Sequence, residues 1–139
     1  MNRFTCSILF LSVLLCLQAN AQQKCADGEE PFVAVEQMPE FPGGQAELAK
    51  YLSKNIRMPS ICLSKKRHFS GKIFISFVII KTGEICGVEV KGWDDCPEIK
   101  AEVQQVVANM PRWKPGMQSS RPVAVKYSLP INFHPVWQE

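Results

Sequence analysis

GKIFISFVII, residues 71–80, decides the fold. Its β-branched and aromatic residues predict a strand, and the near-absence of polar residues after Lys72 predicts one that is apolar on both faces and central in its sheet. Lys81-Thr82-Gly83-Glu84 follows as a glycine-containing turn, and Ile85 to Lys91 resumes strand-like residues with Val88 and Val90 on one face. Together they predict a hairpin.

Toward the C-terminus, Asp94-Asp95 suits a helix N-terminus, and Pro97 suits a first helical turn. Ile99, Val103, Val106, Val107 and Met110 form one apolar stripe, and Pro111 ends the helix. The loop Arg112 to Gly116 leads to a last strand, in which Val123, Val125, Tyr127 and Leu129 alternate with Ala124, Lys126 and Ser128. Pro130 lacks the amide needed to continue a ladder, so the strand is expected to stop there, at a sheet edge.

Toward the N-terminus, Leu48, Ala49, Leu52 and Ile56 recur at helical spacing over 45–56, and Pro59 enforces a stop. The segment Met38 to Gly44 is a turn-rich entry to that helix, and Phe32 to Glu36 reads as a short strand. The predicted order is helix, hairpin, helix, strand. This is an α+β domain over 31–139, with two helices on one face of a three-stranded antiparallel sheet and an extra short N-terminal strand.

The beginning of the chain reads differently. Arg3, an apolar core from Ile8 to Leu17 and the small-residue tripeptide Ala19-Asn20-Ala21 predict a secretory signal over 1–21, cleaved after Ala21. The apolar core is about half the length needed to cross a bilayer, so no membrane insertion is expected after cleavage. Residues 22–30 form a short polar leader. The formal net charge of +3 is small, and the cluster Lys65-Lys66-Arg67 is short. Neither makes an electrostatic case for nucleic acid or an anionic membrane.

No catalytic constellation emerges. His68 and His134 have no carboxylate or cysteine at a catalytic spacing, and Phe41-Pro42-Gly43-Gly44 lacks the lysine and hydroxyl residue of a phosphate loop. No enzyme, cofactor or metal site is expected. Beyond Ala21 lie Cys25, Cys62, Cys86 and Cys96, an even number in a chain bound for an oxidising compartment, with no Cys-x-x-Cys pair. In the predicted hairpin, Cys62 approaches the end that Cys96 leaves, while Cys86 lies at the opposite end. Cys62 is therefore expected to pair with Cys96, and Cys25 with Cys86.

Three motifs carry a resemblance: Met38-Pro39 with FPGG at Phe41 to Gly44, MPRWKPG at Met110 to Gly116, and Tyr127 with LPINF at Leu129 to Phe133. In this order, separated by these elements, they resemble the C-terminal domain of TonB, the energy transducer of Gram-negative envelopes. The resemblance implies a periplasmic protein- or peptide-binding module, with an envelope protein, such as a TonB-dependent outer-membrane transporter, as partner. It also implies capture of an extended segment by the edge strand Val123, Ala124, Val125, Lys126, Tyr127, Ser128 and Leu129. Against the transducer pattern, a cleavable signal stands where the membrane anchor would be, and no long proline-rich linker follows, so binding rather than force transmission is expected. Two other arrangements remain open: the edge is covered by Phe32 to Glu36, or the apolar strand and the edge form a homodimer interface in a self-associating structural envelope protein.

Overall fold

The computed structural model describes Cys25 and residues 28–64, 71–94 and 96–133. The expected signal, the Lys65-Lys66-Arg67 cluster, His68, Asp95 and His134 lie outside the described residues.

The elements are α1 (Gln45–Asn55), α2 (Ser60–Ser64), β1 (Gly71–Ile79), β2 (Ile85–Lys91), α3 (Pro97–Ala108), β3 (Gly116–Gln118), β4 (Arg121–Val123) and β5 (Val125–Phe133). They form an α+β fold whose three-stranded antiparallel sheet has the order β2-β1-β5, beside a two-stranded ribbon of β3 and β4. β1 is central. Its side chains alternate across the sheet. Ile73, Ile75, Phe77 and Ile79 are buried on one face, while Phe74 on the other is 55% exposed, so the apolar strand is packed against the core on one face and leaves Phe74 open on the other. Each buried Ile or Phe contributes about 1.5–3 kcal/mol.

One core cluster unites this face of β1 with Leu48 and Leu52 of α1 and with Ile99, Val103 and Val107 of α3. The two helices begin and end where local chemistry dictates. Gly44 precedes α1 with φ +85, and the chain turns extended at Ile56. Pro97 occupies the first turn of α3, where no amide is needed, and Cys96 stands at its N-cap. Both Cys62 and Cys96 are fully buried and disulfide-bonded, tying α2 to the start of α3; a second bond joins Cys25 to Cys86.

Three expectations are corrected. Phe32 to Glu36 forms no strand; the N-terminal segment instead makes isolated bridges at Phe32, Gln37 and Glu40. Val123 belongs to the separate ribbon, paired with Gly116. Finally, β5 runs through Pro130 to Phe133. The proline is tolerated because it sits opposite Phe74 in an edge strand, with its amide position turned away from β1.

Candidate peptide-binding edge

Alternate residues of an antiparallel strand direct both N–H and C=O to the same side. The phase in β5 is set at its beginning, where the Phe32 N–H donates to the Ala124 carbonyl at 2.9 Å and the Lys126 N–H donates to the Phe32 carbonyl at 2.8 Å. Even-numbered residues thus face outward, and Val125, Tyr127, Leu129, Ile131 and Phe133 bond to β1 opposite Ile79, Phe77, Ile75, Ile73 and Gly71. Phe32 closes the first part of the edge. Beyond it, no described residue pairs with the N–H groups of Ser128 and Asn132 or the carbonyls of Ser128, Pro130 and Asn132. The unpaired run spans five residues, about 17 Å.

The covering segment has its own anchors. Cys25 is bonded to Cys86 of β2, Glu29 pairs with Lys81 at 2.9 Å, and Phe32 reaches β5 on the opposite side of β1. Gln37 and Glu40 then make two backbone bonds each to Met117 and Lys114.

Beside the unpaired run lies a groove of about 630 Å³. Leu48, Leu52 and Ile56 of α1 form one wall, and Leu129 and Ile131 of β5 form the other. No described residue lining the groove is charged; its polar margin is Gln45, Ser53 and Asn132.

An aromatic cluster supports the covered end of β5. Trp113, 3% exposed, has Phe41, Phe77 and Tyr127 at ring-centre distances of 5.5, 5.6 and 5.1 Å. Its Nε1 has no hydrogen-bond partner among the described residues. The Tyr127 hydroxyl accepts a bond from Gln45 Nε2 at 2.8 Å, linking β5 to the start of α1. On the far side of Phe41, Tyr51 donates its hydroxyl to the Val106 carbonyl at 3.2 Å, and burial raises its pKa above 10.0.

Of the seven residues read as an edge strand, Val125 to Leu129 lie in β5, Ala124 joins β4 to it, and Val123 lies outside it. Only Ser128 in that set has both outward backbone groups open. The rest of the open edge, Pro130 to Asn132, and the α1 stripe beside it fell outside the predicted set. One signal was present: Leu129, Ile131 and Phe133 continue the odd-numbered apolar alternation that begins at Val125.

A small α+β fold with an open edge strand beside an apolar groove has the features of a protein-interaction domain. Residues 63–135 match the family described as the Gram-negative bacterial TonB protein C-terminal, and the chain belongs to this family of non-enzymatic, envelope protein-interaction domains. MPRWKPG and LPINF fall within the matched residues, and FPGG precedes them. None of the curated proteins matches the chain. No described helix is long and apolar enough to cross a membrane.

Proposed function

We propose that this protein acts in the periplasm, after removal of residues 1–21, as a module that captures an extended segment of an outer-membrane partner by strand addition to β5. The observation that carries this reading is the run Ser128 to Asn132, where two amides and three carbonyls have no partner among the described residues, beside an apolar groove. An edge of this kind pairs with an extended backbone whatever its sequence, and the neighbouring wall selects side chains. On this reading the two longer helices cover one face of the sheet and leave the edge accessible. The family's role in the envelope points to periplasm-facing segments of TonB-dependent transporters as partners. The test is titration of the isotope-labelled protein with such peptides. The reading expects the amides of Ser128 and Asn132 to shift first, and fails if they stay still while the peptide is in excess.

A second reading, a self-associating structural envelope protein, is favoured by one feature: Phe74, 55% exposed on the open face of the sheet. Sedimentation tests it. A dimer that Phe74→Ser dissolves supports self-association, whereas a monomer at high concentration removes it.

A further inference from the structure

The groove between α1 and β5 lies on the same side of the sheet as Leu129 and Ile131, and this relation constrains what the edge can accept. A strand added to β5 places the residues opposite Leu129 and Ile131 on the side of those two residues, whether it runs parallel or antiparallel. They enter the groove. The residues opposite Ser128, Pro130 and Asn132 emerge on the other face, which carries exposed Lys126 and, directly across from Asn132, exposed Lys72. We infer that the site selects extended peptides by pattern: two apolar side chains spaced i, i+2 seated against Leu48, Leu52 and Ile56, with polar or acidic residues between and beside them. This inference rests on the strand-addition reading and adds to it the class of peptide that is bound.

Three features favour a peptide over the other occupants of such a groove. A small apolar molecule would fill the groove and leave the adjacent amides and carbonyls unpaired, while an extended backbone satisfies both at once. The unpaired run of about 17 Å holds a short segment and no more. A second copy of the chain is disfavoured by Pro130. In a two-fold β5–β5 pairing its missing amide counts twice, whereas a peptide meets it once. Register follows from the same geometry, because a one-residue slip would turn the apolar pair out of the groove and into the cationic face.

The inference is tested with three capped synthetic peptides: one alternating valine and serine, one with the same residues in two blocks, and one of serine and threonine alone. Binding is followed by fluorescence anisotropy and by the Ser128 and Asn132 amide resonances. The alternating peptide is expected to bind at least about tenfold more tightly than the polar one, the effect of burying two valine side chains even partially. The block peptide should fall between them. Ala49→Arg, at an exposed groove-lining position, should narrow that preference to about twofold while the edge amides still shift. Equal binding of all three peptides with edge shifts would overturn the pattern and leave strand addition standing. No edge shift with any of them would remove both. A concentration-dependent dimer that protects the same amides without peptide would assign the edge to a second copy and overturn the inference.

Discussion

Phe32 lies beside Val125 in a parallel bridge, and its amide and carbonyl bond to the two residues flanking Val125. The protein thus covers the first part of its own sheet edge with a segment held at one end by the Cys25–Cys86 disulfide. Apart from that bond, the polar contacts of residues 28–35 among the described residues include two edge hydrogen bonds and the exposed Glu29–Lys81 pair. These contribute about 1 kcal/mol per hydrogen bond and less for the ion pair. Ordering each residue's backbone costs about 1–2 kcal/mol. The disulfide decides the balance.

Opening that bond therefore lengthens the edge. In Cys25→Ser/Cys86→Ser the Lys126 amide should exchange with solvent about as fast as that of Ser128, whereas in the oxidised protein it should exchange at least about tenfold more slowly. Equal protection of Lys126 in both proteins would show that the segment holds without its tether.

Pro130 removes one donor from the open run. Pro130→Ala restores it on the side facing the partner and should tighten peptide binding about fivefold, the value of one additional hydrogen bond of about 1 kcal/mol. Isothermal titration of both proteins with one peptide measures this; weaker binding by the variant would contradict the assigned phase of β5.

The buried bond between Cys62 and Cys96 closes a loop with a sequence separation of 34. Chain-entropy arguments give about 4 kcal/mol for a loop of this length. Cys62→Ala/Cys96→Ala should lose stability of that order in urea titrations, together with the tie between α2 and α3.

Burial holds the Tyr51 phenol protonated above its ordinary pKa of 10.0. The folded state then binds this proton more tightly than the unfolded state, so the group's contribution is fully present below pH 10.0 and is lost as pH rises toward the folded value. Alkaline unfolding curves should therefore fall less steeply for Tyr51→Phe than for the parent above pH 10.0. Identical slopes would contradict the burial effect.

The sheet was legible because GKIFISFVII contains almost no polar residue, and only a central strand beside a hairpin turn uses such a run well. The two longer helices were legible from their stripes and prolines. Pro130 misled, since a missing amide stops a strand only when it faces a neighbour, and the phase of β5 is set by a contact from Phe32, far away in sequence. The same distance hid the groove. Its walls, Leu52 and Ile131, belong to separate elements, and each reads in its own segment as an ordinary core residue. Phe32 to Glu36 looked like a strand from composition, yet its strand pairing among the described residues is limited to the single bridge between Phe32 and Val125.

The most direct test of strand addition is the set of intermolecular nuclear Overhauser effects between a bound peptide and Ser128 to Asn132. Backbone-to-backbone contacts repeating every second residue along this run, with peptide side-chain contacts to Leu52 and Ile131, are the predicted result. Contacts confined to the open face around Phe74, with none along Ser128 to Asn132, would contradict it.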